Sequence, residues 1–460
     1  MTPRHCGLAL FLAMAAATPS RAATPPPANP PQARPAAPRE DPFAPVFIVT
    51  SRDTWQRFVR IHARAAANRF DSSGHALVVA ELRAHQLDDI GRAIHAAEHR
   101  CGGYFAFPTR AAAEAFIRSD RSRQALQATA AGGYTIDQQR TVAKWLPQAS
   151  EAEIHATIEH LSTDFTNRYF ASTSGREAAL WIRDRWLALT AGRSDATVEL
   201  FTSCSNCSSQ PSVILTLQGS DLADEVVVLG GHLDSISNSG AGDLMDAPGA
   251  DDDASGIATL TEVLRVAMAN GWKPRRTVKF MAYAAEEVGL RGSKAIAGTF
   301  AAQGVDVYGV LQLDMTNYKS GPVEDMQLIT DYSNPDLKAF VVALFDAYLA
   351  PLGLTRGTYT CGYACSDHAS WTGAGFASAM MFEAGDPNGD FPYIHTPDDT
   401  LASMDDSAQN SVKFAQLGLA FLAEMAKSAH TGIVLPRLPD CDGRLPQQPA
   451  LTLAPAARRE

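Results

Sequence analysis

From about residue 197 onward, short and almost wholly apolar runs alternate with longer stretches whose apolar positions recur every three to four residues. TVELFT, SVILTLQG and EVVVLGG read as strands, followed by a helix over 254–269, a strand over 277–285, a helix near 291–303, strands over 307–313 and 326–330, and a helix over 335–350. Further helices are predicted near 150–163 and 175–192, and a last one over 408–428. Runs this apolar mark strands covered on both faces. Their β-α-β-α order predicts a three-layer α/β/α fold around a mostly parallel, mixed sheet.

Ahead of this region the pattern is finer. PVFIVT, HALVVAEL and GYFAF read as strands, and RDTWQRFVRIHARAAANRF, LDDIGRAIHAAEH and RAAAEAFIRS read as helices, which predicts a small α+β domain over 42–125. The small-residue connector 126–133 separates it from the larger domain at 134–430. Residues 23–41 are a Pro-rich linker, and 431–460 form a Pro-rich tail with no predicted fold.

Composition adds compartment and partners. Residues 1–22 resemble a secretory signal, with Arg4 and His5 before an apolar run and Ser20-Arg21-Ala22 as a cleavage site. Secretion is therefore expected, to the medium or a periplasm. No later run reaches the ~18 apolar residues of a membrane span, so no membrane anchor is expected. The net charge of -11 argues against nucleic acid as a partner. The small domain differs from the rest, its twelve arginines against eight acids giving +4. Of seven cysteines, Cys204 with Cys207 and Cys361 with Cys365 form close pairs, which in a secreted chain point to local disulfides. The CSNC pair has zinc binding or redox work as its alternative, while Cys101 and Cys441 stand apart.

The chemistry gathers where predicted strands end. His232 and Asp234 follow EVVVLGG, Glu286 and Glu287 follow KFMAYAA, and Asp314 follows YGVLQL; Asp251, Asp252 and Asp253 open a helix. Ligands of open α/β sheets bind at strand carboxyl ends. An acid placed directly after so apolar a run is costly unless paired or bound to a metal. A second imidazole is offered by His395 or by His368, and spacing does not choose between them. Two imidazoles and three carboxylates suit a pair of divalent ions, best zinc, bridged by one carboxylate, with the remaining glutamate free as a general base.

GGHLDS, APGADDDASG, MAYAAEEVGLRGS, LQLDMTNY, CGYACSDHASW and IHTPDDTL, in this order, resemble the M28 family of metallopeptidases, in particular secreted bacterial leucyl aminopeptidases of the Vibrio proteolytica type. The similarity runs from about Tyr134 to about Leu422. It implies a zinc exopeptidase fold in which Asp252 bridges two Zn2+, Glu287 and His395 complete one site, and His232 and Asp314 complete the other. It implies Glu286 as general base, Asp234 as the group orienting His232, and a disulfide between Cys361 and Cys365. The pocket implied for the first side chain of the peptide is apolar, from Met315, Ile329, Tyr363, Phe382 and Ile394, and favours Leu-like residues.

EAGDPNGDFPY departs from that pattern and places Asp386 where relatives carry an aromatic wall, with Phe391 as the candidate to fill the gap. The expected function is hydrolysis of the first peptide bond of peptides and protein N-termini by a monomeric dizinc enzyme. Its alternatives are another M28-like exopeptidase, a glutaminyl-cyclase-like enzyme, or a noncatalytic binding domain; retention of all five ligands weighs against the last two. Residues 23 to about 133 are expected to be a removable propeptide acting in cis, drawn to the acidic domain by opposite charge.

Overall fold

The computed structural model describes residues 41–71, 74–98, 103–118, 133–319, 324–361, 364–383 and 391–429. The expected signal peptide, linker, connector core and tail lie outside them, as do Tyr363, Asp386, Cys101 and Cys441.

The larger body is an eight-stranded sheet, β5 (Ala196–Phe201), β6 (Ser212–Leu217), β7 (Leu222–His232), β8 (Arg276–Tyr283), β9 (Asp306–Gln312), β10 (Met326–Ile329), β11 (Arg356–Tyr359) and β12 (Ser378–Phe382). Its spatial order is β11-β10-β12-β9-β7-β8-β6-β5. The centre is parallel, β8 and β9 flanking β7, whereas β6 runs antiparallel to both β5 and β8, and β10 antiparallel to β12. Alternation along each strand explains the continuous apolar runs. Val227 and Leu229 of β7 face one cluster with Leu260 and Phe421, while Val226 and Val228 face another with Ile296 and Trp371. Each residue of the run therefore has a covered side, as a three-layer arrangement demands.

The covering helices are α3 (Gln139–Trp145), α4 (Glu151–Thr163), α5 (Thr173–Leu189), α6 (Gly256–Ala269), α7 (Arg291–Gln303), α8 (Pro335–Leu344), α9 (His368–Ala374) and α10 (Gln409–Ala426). Helix α10 is buried along most of its length, in keeping with its almost uninterrupted LGLAFLAEMA. Among the described residues no helix is long and apolar enough to cross a membrane.

The N-terminal unit is a four-stranded antiparallel sheet in the order β2-β3-β1-β4, from β1 (Pro45–Ser51), β2 (Ala65–Phe70), β3 (Ala76–Arg83) and β4 (Tyr104–Phe107). Helices α1 (Gln86–Glu98) and α2 (Arg110–Arg118) accompany it. Here one expectation fails: the stretch predicted as a single helix over 52–70 is helical over Arg52–Thr54 and Trp55–Val59 only, and Ala65–Phe70 is the edge strand β2. Ala65–Phe70 alternates in exposure and pairs with β3 along its whole length, so tertiary pairing overrides the helix propensity of its alanines.

This unit is seated on the larger body through its edge strand β4. Phe105, Phe107 and Ala113 share one apolar cluster with Leu290, Ala364 and Ala369, and the Ala106 amide donates to the Gly289 carbonyl at 3.5 Å. Gly289, at φ +104°, fits this approach, because a Cβ there would lie 2.9 Å from that of Ala106. The Lys294 ammonium lies 3.8 Å from the centre of the Phe107 ring. Among the described residues this contact is chiefly apolar and aromatic.

Candidate metal centre

β7 and β8 end side by side, and each delivers its acidic or imidazole groups at its last residue or in the next turn. His232 closes β7; Glu286 and Glu287 follow β8 by three and four residues; Asp314 follows β9 by two. Asp252 comes from the turn over Ala250–Ser255 that leads into α6, where its φ of -103° and ψ of 93° are not helical. The Asp252-Asp253 peptide is cis. Four residues without a glycine's freedom sit in the left-handed region beside these groups: Ala285 (φ 56°), Leu290 (φ 56°), Met315 (φ 49°) and His395 (φ 56°). Such conformations cost about 1–3 kcal/mol each and persist only where the surroundings enforce them.

Two groups of three ligand atoms result, His232 with Asp252 and Asp314, and Asp252 with Glu287 and His395, the atoms of each within 4.8 Å of one another. Asp252 belongs to both. Its Oδ1 is 2.9 Å from His232 Nε2 and its Oδ2 3.0 Å from His395 Nε2. Glu287 Oε2 is 2.9 Å from the same His395 nitrogen, and Asp314 Oδ1 is 3.6 Å from His232 Nε2. All five side chains are nearly inaccessible, His395 the most exposed at 8%. His368 belongs to neither group; it is buried at the start of α9, and burial pushes its pKa down to about 4.

The electrostatics describe a site short of positive charge. Burial pushes the Glu287 carboxyl up to about 7, with Asp252 adding to the effect, and burial likewise holds Glu286 well above the ordinary value. Burial alone would lower the His232 pKa, but Asp314 and Asp253 raise it. Carboxylates and imidazoles converging from several sides are a donor set for borderline divalent ions. The residues present therefore fit zinc.

A second layer of carboxylates holds the first through backbone amides. Asp234 accepts from the Glu286 amide at 2.9 Å and the Glu287 amide at 3.2 Å. His232 Nδ1 faces the Asp234 main-chain carbonyl at 3.1 Å and its carboxylate at 3.6 Å, so both parts of Asp234 bear on the site. Asp253 accepts from the amides of His232 (2.9 Å), Gly256 (2.9 Å) and Met315 (3.1 Å), tying together β7, α6 and the turn after β9. Asp399 accepts from the amides of Asp251 (2.8 Å) and Asp252 (3.2 Å), and so links the His395 loop to the residue shared by both groups. The Ser366 hydroxyl donates to Asp314. Asp253, Asp399 and Ser366 carried no assigned role in the sequence reading. The signal for two of them was their membership of ADDDASG and TPDDTL.

Cys361 is bonded to Cys365, and Cys204 to Cys207. The CSNC pair is thus a disulfide and not a zinc site; its turn is fastened to the start of α7 by Arg291, which donates to the Asn206 carbonyl at 2.6 Å. Of the expected pocket residues, Met315, Ile329 and Ile394 are buried and Phe382 is half-buried. Phe391 is buried as well, its ring 4.9 Å from that of Tyr318.

Known proteins share both the sequence and this architecture. The profile of Peptidase family M28 matches residues 212–420, the span that carries His232 through Asp399. A probable leucine aminopeptidase of Arthroderma benhamiae is 35% identical over 300 residues, covering 63% of this chain and 78% of its own length. Leucine aminopeptidase 1 of Leptosphaeria maculans is 37% identical over 299 residues, covering 61% and 73%. These relatives are fungal and not of the bacterial type whose motifs the sequence resembles. The crystal structure of LapB from Legionella pneumophila superposes with a TM-score of 0.66 at 28% identity, over 83% of this chain and 100% of its own. That coverage exceeds what residues 134–428 alone supply, so the likeness takes in part of the N-terminal unit. With its ligand groups lying inside the matched span and its relatives covered over most of their length, the chain belongs to peptidase family M28.

Proposed function

We propose that this peptidase is a secreted aminopeptidase that removes Leu-like first residues using two zinc ions. The observation that carries the reading is the placement of Asp252, whose two oxygens face His232 at 2.9 Å and His395 at 3.0 Å, the disposition of a carboxylate shared between two sites. His232 and Asp314 would hold one ion, Glu287 and His395 the other. When bound, zinc supplies Lewis acidity toward the carbonyl of the first peptide bond.

The proton work falls to Glu286. It belongs to neither ligand group, its amide is held by Asp234, and its buried carboxyl feels the charges of His232, Glu287 and Asp314. A carboxyl raised by burial and by Asp367, Glu287 and Asp314 is suited to take a proton from the attacking water and pass it to the departing amine. The buried and half-buried apolar residues Met315, Ile394 and Phe382 favour an aliphatic first side chain, in keeping with the leucine aminopeptidase names of the fungal relatives. Two disulfides suit an oxidising compartment.

The N-terminal unit is read as a propeptide. Its strand β4 packs on Gly289 and Leu290, which close the turn that begins at Glu286: both the Gly289 and Leu290 amides donate to the Glu286 carbonyl at 2.8 Å. A unit seated there restrains the base until it is removed.

The test is hydrolysis of a panel of aminoacyl p-nitroanilides by protein cut in the connector, with chelator and with re-added zinc, alongside metal analysis. Activity on the leucyl substrate that vanishes on chelation and returns with about two zinc ions per chain is expected. Chelator-resistant activity, or one ion at full activity, would sink the dizinc reading.

A further inference from the structure

We infer that this enzyme, acting on other copies of itself, trims the chain end left by a cut in the connector and halts at an anchor built around Tyr134. The inference rests on the aminopeptidase reading above and adds a substrate, the enzyme's own new N-terminus, with an end point fixed by the fold.

The anchor is unlike an ordinary domain entrance. Tyr134 donates its hydroxyl to the Tyr308 carbonyl at 3.1 Å, and its ring lies 5.3 Å from that of Tyr308 and 5.1 Å from that of Phe340. Just beyond it the carboxylate of Glu424, itself 1% exposed, accepts from the amides of Asp137 and Gln138 at 2.8 and 2.9 Å. Lys427 donates to the Thr135 carbonyl and to the Asp137 carboxylate, both at 2.8 Å. Among the described residues, the hydrogen bonds and ring contacts of 134–138 thus go to β9, α8 and the end of α10.

Position decides what can be trimmed. Tyr308 lies early in β9 and Asp314 six residues on, beyond its other end, so at about 3.3 Å per residue the anchor is ~20 Å from its own site. The nearly inaccessible ligand groups admit only a free, extended end, and each such residue spans about 3.3–3.6 Å. An overhang shorter than about six residues falls short of that distance, so the last residues ahead of Tyr134 can enter only the site of a second molecule, until the remaining overhang is too short for that as well. Each turnover consumes one water, breaks the bond between the first and second residues, and releases one amino acid with a fresh α-amino group behind it. The sequence between Arg123 and Tyr134, QALQATAAGG, contains no proline, whose missing N–H and fixed φ would alter the bond presented for cleavage.

The experiment cuts full-length protein with trypsin just ahead of the connector, after Arg121 or Arg123, inactivates the trypsin and follows the intact mass of the larger fragment while leucyl p-nitroanilide hydrolysis is measured on the same sample. Active protein should converge on a single start between Ala131 and Tyr134, whereas Glu286→Gln protein should keep the tryptic end until active enzyme is added. A free peptide of residues 125–140 should be shortened past Tyr134, and Tyr134→Ala should move the end point toward Asp137. A tryptic end that persists in a sample hydrolysing leucyl p-nitroanilide overturns the inference alone. So does trimming that runs past Asp137 in the unaltered protein, or an end point indifferent to Tyr134→Ala. Absence of p-nitroanilide hydrolysis overturns the aminopeptidase reading and this inference with it.

Discussion

Chelation should leave a protein whose stability falls as pH rises from 5 to 6, the reverse of ordinary acid denaturation. Burial pushes Asp251 up to about 6 and Glu287 and Asp367 up to about 7, while it pushes His368 down to about 4. In the unfolded chain these carboxyls titrate near 4 and the imidazole near 6.5. A carboxyl raised in the folded state contributes stability at low pH that is lost as pH climbs toward its folded value; a depressed histidine acts the other way. Across pH 5 to 6 these four groups alone leave the folded state with three protons that the unfolded state has shed and without one that it holds, and Glu286, Asp253, Glu383 and Asp399, held well above their ordinary values chiefly by burial, act in the same direction. Two net protons at about 1.4 kcal/mol each per pH unit give a decline of about 3 kcal/mol between pH 5 and 6. Carboxylates held low by arginines, such as Asp195 beside Arg193, finish titrating below this window and do not offset it.

Zinc should reverse the trend, because it occupies the site only when Glu287 and its neighbours have released their protons, so its affinity rises with pH. Urea unfolding followed by tryptophan fluorescence, at pH 5, 5.5 and 6 with and without zinc and with metal content checked, measures both slopes. A chelated protein whose stability is flat or rises over this window would refute the reasoning, since the buried carboxyls would then be ionised without a cation.

Four substitutions test the roles assigned to these residues. Glu286→Gln should keep both ions and lose about 10²–10⁴ in turnover, whereas Glu287→Gln should release metal; equal zinc loss in the two, by metal analysis, would contradict the roles proposed. Asp253→Asn leaves one of three backbone amides without an acceptor and should lower stability by about 2–4 kcal/mol, read as a fall in urea midpoint even without metal. Lys294→Met removes an ammonium that has no hydrogen-bond partner among the described residues and lies beneath Phe107. It should slow release of the N-terminal unit from cut protein about tenfold, an effect of ~1.4 kcal/mol, measured by size-exclusion chromatography over time.

Central strands and their terminal acids were legible in the sequence because burial on both faces leaves a continuous apolar run, and a charge placed at its end has no bland explanation. Strand β12 was not predicted, although it lies in the sheet between β10 and β9. At five residues, SAMMF is too short for periodicity to separate a strand from a piece of buried helix. Edge strand β2 was hidden in an alanine-rich helical pattern. The roles of Asp253 and Asp399 were illegible for another reason: they act on amides 62 residues away at Met315 and 148 away at Asp251, and hydrogen bonds to backbone leave no spacing signature in side chains.

That second layer also accounts for the strained backbone around the site. Met315 and His395 hold left-handed conformations, and each adjoins a group fixed by Asp253 or Asp399. Arg168 completes the scaffold: fully buried, it donates to the carbonyls of Leu161, Leu233, Pro248 and Gly249, stitching the loop between His232 and Asp252 from beneath. Its guanidinium hydrogen-bonds to no carboxylate among these contacts, yet Asp399, Asp253, Asp252 and Asp234 all raise its pKa against the opposing effect of burial. It therefore acts on the acidic cluster as a charge at a distance, while its geometry is committed to the backbone. One buried cation cannot balance so many carboxyls. The fold keeps the ligands in place through amides and carbonyls and leaves their charge to be met by protons or by metal, so the same groups that bind zinc also set the pH dependence of the empty protein.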